Sequence, residues 1–149
     1  MSDSADSIKK AATAYERFLN VIHTLRAPGG CPWDREQTPA SMRADLIEET
    51  FEAVDAISAD DGEHAKEELG DVLLNDTMIS YMYEQRGDFT IADEINELAD
   101  KLIRRHPHVF KDSEGQSQVQ EKADDAEKVL AQWDRIKENV EGRKNKSIL

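Results

Sequence analysis

The chain is poor in what a strand-rich, disulfide-built or membrane-spanning protein needs. Cys31 is the only cysteine, so no intrachain disulfide can form, and a reducing, cytoplasmic setting is the simple reading. β-branched runs are absent. Only seven glycines occur, and they fall between apolar-periodic segments, which favours an all-α fold. No apolar run approaches the length of a membrane span. The polar, acidic start Met1-Ser2-Asp3-Ser4-Ala5-Asp6-Ser7 lacks the apolar stretch of a signal peptide. Positive charge is scarce: 19 Lys and Arg stand against 32 Asp and Glu, a formal charge of −13. That argues against a surface for nucleic-acid polymers, which need a basic face. It does not exclude a nucleotide held through a cation, because the ion supplies the missing positive charge.

What is present reads as five helices in one domain over residues 1–141, followed by a frayed tail over 142–149. The first covers about Ala5 to Leu25, with Tyr15, Phe18, Leu19, Ile22 and Leu25 as its apolar stripe. Arg26 to Pro39 holds Pro28, Gly29, Gly30 and Pro32 and reads as a loop. Thr38 is expected to cap the second helix, with Pro39 at its first position, and the helix runs to about Ala59. Asp60-Asp61-Gly62 breaks the chain. The third helix, about Glu63 to Arg86, stops at Gly87. Thr90 caps a fourth that reaches about Arg105 before Pro107. Residues 111–118 read as a loose connection, and the last helix covers about Val119 to Glu141. Short connections suit a bundle of four helices with an additional terminal helix.

Two acidic clusters dominate the middle: Glu48-Glu49-Thr50-Phe51-Glu52 and Glu68-Leu69-Gly70-Asp71. Glu49 and Glu52 are one helical turn apart, as are Glu68 and Asp71, so each pair shares a face. Acids on a helix are usually a solvated face. In the second helix they run roughly opposite Leu46, Ile47, Val54 and Ile57, which fits that bland account. The third helix shifts the balance. Its Leu69, Val72, Leu73, Leu74, Met78, Ile79, Tyr81 and Met82 point nearly all round the axis, so it is expected to be buried. Carboxylates beside such a surface need neutralising, by a proton or a cation. If the two helices pack together, four carboxylates converge, and oxygen-only ligands suit Mg²⁺ or Mn²⁺. A hard divalent cation most often serves a phosphate-bearing substrate.

These residues carry a resemblance. Glu48-Glu49-Thr50-Phe51-Glu52, fifteen intervening residues, then Glu68-Leu69-Gly70-Asp71, is similar to the EExxE–ExxD motif of the MazG-type nucleoside triphosphate pyrophosphohydrolases, in the all-α NTP pyrophosphatase superfamily. The preceding loop Gly30-Cys31-Pro32-Trp33-Asp34-Arg35-Glu36-Gln37-Thr38 resembles the family's loop before the motif. Lys101-Leu102-Ile103-Arg104-Arg105-His106-Pro107-His108-Val109-Phe110 resembles its basic segment, and Gln132-Trp133-Asp134-Arg135-Ile136-Lys137 its terminal tryptophan element. The likeness runs from about Phe18 to Lys137 and is nearest the first of two tandem repeats in longer members.

The resemblance implies Mg²⁺-dependent hydrolysis of NTPs or dNTPs between the α and β phosphates, giving a nucleoside monophosphate and pyrophosphate in a nucleotide house-cleaning role. It implies Glu49, Glu52, Glu68 and Asp71 as metal ligands. For Glu48 three roles stay open: ligand, water orientation or base. Lys101 and Arg105 are implied to contact phosphates, with Arg104 facing elsewhere and pairing with acids; the bland alternative is solvated charge. Trp133 either stacks on a nucleobase or packs in the core. Cys31 reads as a packed thiol. The roles of Asp76, His106 and His108 stay undecided. The family forms homodimers or dimers of dimers, which would cover the apolar third helix. Rival readings are a narrow dUTP, dCTP or phosphoribosyl-ATP pyrophosphohydrolase, and a catalytically silent helical dimer that binds nucleotides or a partner protein.

Overall fold

A computed structural model describes residues 2–110 and 124–142. The expected loose connection over 111–118, the first turn of the last helix and the tail over 143–149 lie outside the described residues. Among the described residues the structure is all helix: α1 (Ser2–Arg26), α2 (Pro32–Glu36), α3 (Arg43–Ser58), α4 (Gly62–Arg86), α5 (Ile91–Arg105) and α6 (Ala126–Asn139). None of these helices is long and apolar enough to cross a membrane. The chain falls into two compact units, residues 1–91 and 92–149.

In the first unit α4 packs along α3 and, less extensively, against α1. The apolar core lies at the α1 contact. Ile22, Met42, Met78 and Met82 are buried together, with Phe18, Leu25, Ile79 and Tyr81 packed around them. His23 stacks on Tyr81 with ring centroids 4.0 Å apart, which adds an aromatic contact between the same two helices.

Two stretches differ from the sequence expectation. Pro32–Glu36 is a short helix rather than loop, with Pro32 inside its first turn, where a missing N–H costs nothing. Arg26 closes this corner. Its Nη1 donates to the carbonyls of Asp34 and Gln37 at the end of α2, and its Nε donates to Gln85 Oε1 at 2.7 Å. Thr38 does cap, but it caps a turn that leads into α3. Ser41 N donates to Thr38 Oγ1 at 3.1 Å and Thr38 N donates to Ser41 Oγ at 2.9 Å, a reciprocal capping box, and α3 itself starts at Arg43.

The α3–α4 connection is a tight hairpin. Asp60 takes a left-handed φ of 54°, and Asp61 N donates back to Ala56 O at 3.2 Å, satisfying the end of α3. Asp61 Oδ1 then accepts from His64 N at 3.1 Å and caps α4. One residue thus terminates α3 and starts α4, which fixes how the two helices align. Gly87, at φ 85°, ends α4 as expected.

In the second unit α5 ends at Arg105, before Pro107, and α6 is capped by Asp125, whose side chain accepts from Lys128 N at 2.9 Å. Glu141 anchors the end of this unit. Its carboxylate is 5% exposed and receives Arg105 Nε at 2.9 Å and Arg104 Nη2 at 3.2 Å.

Candidate metal centre

The hairpin alignment decides which acids meet. Glu52 lies seven residues before Ala59, and Glu68 lies seven after Asp61. Each therefore sits about 10 Å from the turn, at the same level. Glu49 and Asp71 are each ten residues out, about 15 Å along. Glu49, Glu68 and Asp71 face the gap between the helices, because α3 presents Glu49, Ala53 and Ala56 on one side. The two alanines are buried, and their small side chains let the helices approach.

Glu49, Glu68 and Asp71 converge. Each offers a carboxylate oxygen, and these atoms lie within 4.8 Å of one another. Glu68 is only 8% exposed, and Glu49 and Asp71 are half-buried. Glu52 is more exposed and lies near Glu68, outside the converged set. Burial pushes the Glu49 carboxyl above its ordinary value of 4.5, and the charges of Glu52, Asp71, Glu68 and Glu48 push it further. Burial also raises Glu68, and the Glu52 contact adds to it, while His64 opposes both.

Two oxygens are left over. Glu49 Oε2 and Glu68 Oε2 are buried and have no hydrogen-bond partner. Buried acceptors of this kind are costly unless something fills them. The donor set is carboxylate oxygen throughout, which fits a hard divalent cation.

The expected sidedness of α3 fails at Glu49 and at its apolar residues. Glu49 is turned toward α4 while Asp45, Glu48, Glu52 and Asp55 stay exposed, and Ile47, Phe51, Val54 and Ile57 also point outward; Phe51 is 68% exposed. The expectation of an all-round buried third helix is likewise corrected. Met78 and Met82 are buried, but Leu69, Leu73 and Leu74 are exposed, while Glu68, Asn75, Thr77 and Ser80 are inside. Small and polar side chains thus lie on the inner side of α4, and Leu69, Leu73 and Leu74 lie outside.

The remaining predicted residues distribute as follows. Glu48 is exposed on α3, outside the converged trio. Lys101, Arg105 and Trp133 belong to the second unit. Lys101 is half-buried and has no ion-pair partner among the described residues. Arg105 is engaged with Glu141 through two hydrogen bonds, at 2.9 and 3.2 Å. Arg104 also reaches an acid, the same Glu141. Trp133 is half-buried, edge-on to His106 with ring centroids 5.0 Å apart, and its Nε1 is buried without a partner. Gln132 Nε2 donates to His108 Nδ1 at 2.8 Å, and His106 Nδ1 donates to Leu102 O at 2.6 Å, so both histidines serve local structure.

Sequence reasoning missed His64 at the centre and, away from it, the structural contacts of Arg26 and Glu141. For His64 a signal existed, since it lies four residues before Glu68 on the same helix. Its Nε2 is 3.0 Å from Glu68 Oε1. Arg26 and Glu141 act across long sequence separations and left no local pattern.

An all-α unit with carboxylates of two antiparallel helices gathered on one buried point defines a helical acidic-centre protein. Residues 37–110 match the family described as the MazG nucleotide pyrophosphohydrolase domain. The chain is 42% identical over 140 residues to the nucleoside triphosphate pyrophosphohydrolase/pyrophosphatase MazG of Thermotoga maritima, covering 94% of this chain and 50% of that protein. It is 39% identical over 130 residues to the nucleoside triphosphate pyrophosphohydrolase of Escherichia coli, covering 87% of this chain and 46% of that one. The crystal structure of a mazG-related protein from Thermotoga maritima superimposes with a TM-score of 0.64 at 22% identity, over 83% of this chain and 99% of the other, a likeness of fold. The chain belongs to the MazG family. It spans about half the length of the curated relatives it matches.

Proposed function

We propose that this chain hydrolyses nucleoside triphosphates between the α and β phosphates, releasing pyrophosphate, with a divalent cation held by Glu49, Glu52, Glu68 and Asp71. The observation that carries the reading is the pair of partnerless buried oxygens, Glu49 Oε2 and Glu68 Oε2, contributed by two different helices to one point. A solvated acidic face would not bury carboxylates against each other. Mg²⁺ is the expected ion, with Mn²⁺ as its substitute.

When bound, the cation would neutralise triphosphate charge and lower the pKa of an attacking water. The side chains supply the rest. Glu49, Glu68 and Asp71 fix the position of the charge, because α3 and α4 are locked by the Asp61 hairpin. Glu52, one turn from Glu49 on α3 and near Glu68, is placed to accept a proton from a water. Glu48, exposed beside it, is a second acceptor from the same turn. Lys101, without an ion-pair partner among the described residues, is assigned to phosphate on the family resemblance. Arg105 can join only by exchanging Glu141 for a phosphate oxygen, an exchange between two charge-assisted partners. Trp133 would present its ring to the base. We assign the substrates to NTPs or dNTPs of the nucleotide pool, and the functional unit to a homodimer or dimer of dimers that covers the outward leucines and Phe51.

The test is pyrophosphate release from a panel of NTPs and dNTPs with Mg²⁺, for wild type and Glu52→Ala. Wild type should release pyrophosphate and monophosphate. Glu52→Ala should lose about 100-fold or more in rate while keeping its helical circular dichroism. Absence of pyrophosphate from every nucleotide overturns the reading in favour of a silent binding module.

A further inference from the structure

We infer that His64 is a positioning residue for the metal centre: its Nε2 occupies one oxygen of Glu68 and so aims the other at the cation. The inference rests on the metal-holding reading above and adds a residue outside the acidic motif.

The geometry is specific. His64 and Glu68 are one turn apart on α4, and Nε2 lies 3.0 Å from Oε1. A carboxylate oxygen can only accept, so Nε2 carries the hydrogen. The other oxygen, Oε2, is buried with no partner. The two oxygens of Glu68 are thereby distinguished, one satisfied from within the helix and one open. His64 is itself held, since its backbone N donates to Asp61 Oδ1 at 3.1 Å at the cap of α4. The hairpin that aligns Glu52 with Glu68 therefore also anchors the residue that orients Glu68.

His64 is not a member of the converged set. The ligand atoms within 4.8 Å of one another come from Glu49, Glu68 and Asp71. It touches the centre through Glu68 alone. Residues that hydrogen-bond a ligating carboxylate restrict its rotation, and their loss typically weakens metal affinity about 10–100-fold. Without His64, Glu68 could turn about its last torsion and present either oxygen, and Glu52 would compete for it.

The experiment titrates Mn²⁺ into the full chain and follows free Mn²⁺ by electron paramagnetic resonance, with no nucleotide present. Wild type, Glu68→Gln, His64→Ala and His64→Gln are compared, each checked for folding by circular dichroism and thermal melting. His64→Ala should bind Mn²⁺ about tenfold or more weakly. His64→Gln restores a donor at the same place and should recover to within about threefold. Equal affinity of His64→Ala and wild type overturns the inference while leaving the metal reading intact, provided Glu68→Gln loses binding. Failure of His64→Gln to recover, with the fold intact, also overturns it. A ¹⁴N coupling from directly bound imidazole in the wild-type Mn²⁺ spectrum overturns it too, since His64 would then be a ligand. No Mn²⁺ binding by wild type sinks both readings together.

Discussion

At the scale of single residues, two kinds of carboxylate respond to pH in opposite senses. Glu49 and Glu68 have pKa values above the ordinary 4.5, chiefly from burial. The folded chain therefore holds their protons more tightly than the unfolded chain does. Their stabilising contribution is complete below about pH 4.5 and is lost as pH rises through the folded values. The metal-free protein should melt at lower temperature at pH 7.5 than at pH 4.5, and Mn²⁺ should raise the melting temperature more at the higher pH, where fewer protons compete for the carboxylates. Glu68→Gln removes a buried charge, so it should raise the metal-free melting temperature at pH 7.5 and abolish the Mn²⁺ effect; differential scanning calorimetry reads both. Glu141 runs the other way. The Arg105 guanidinium, helped by Arg104, holds it down at about 2. Its contribution is present above about pH 4.5 and lost as pH falls toward 2. Glu141→Gln should cost about 1–3 kcal/mol at pH 7, measured by urea unfolding, and the difference from wild type should vanish near pH 2.

At the scale of helices and their joints, glycine substitutions separate close approach from mere permissiveness. At Gly30 an added Cβ would stand 2.3 Å from Leu25 O and 2.5 Å from Thr24 O, both backbone atoms that cannot swing away. Gly30→Ala should destabilise by about 1–3 kcal/mol through displacement of the α1–α2 corner. At Gly70, in mid-helix, an added Cβ meets nothing within 4 Å. Gly70→Ala should stabilise the isolated chain by about 0.5–1 kcal/mol, by the ordinary helix preference. Urea melts of the two variants against wild type check both signs. The helices were legible in the sequence because their signals are local: the apolar stripe of α1, the Asp60-Asp61-Gly62 break and Gly87. α2 was hidden because Pro28, Gly29, Gly30 and Pro32 read as loop, whereas the short helix is held by Arg26, a tertiary contact. The acids were legible as two pairs with the right spacing. The inward turn of Glu49 was not, because helix patterning assumes that large apolar residues go inside, and α3 buries Ala53 and Ala56 beside Glu49 instead. His64 was readable in principle from its spacing to Glu68; Glu141 was not, since its partners lie 36 residues away.

At the scale of the whole molecule, the inverted helices leave an apolar surface with work to do. Ile47, Phe51 and Val54 form one stripe on α3, and Leu69 and Leu73 form another on α4, all of them substantially exposed in the single chain. Exposed apolar stripes of this kind mark an interaction face. Within the chain, α4 has already spent its buried sides on the acids and on the Met78–Met82 core. A second copy is the occupant proposed above, and its consequences are measurable. The wild-type chain should elute with the mass of at least a dimer in light-scattering chromatography, and its melting temperature should rise with protein concentration. Phe51 stands in the stripe beside neither Glu49 Oε2 nor the converged trio, so Phe51→Glu tests the face apart from the ligands. Losing the burial of one phenyl ring costs about 1.5–3 kcal/mol, so dissociation should become at least about tenfold easier, with an added penalty for the buried charge. The variant should shift to monomer at low micromolar concentration. A wild-type chain that stays monomeric at every concentration would remove the proposed dimer. It would also leave Phe51, Leu69 and Leu73 in need of a different partner.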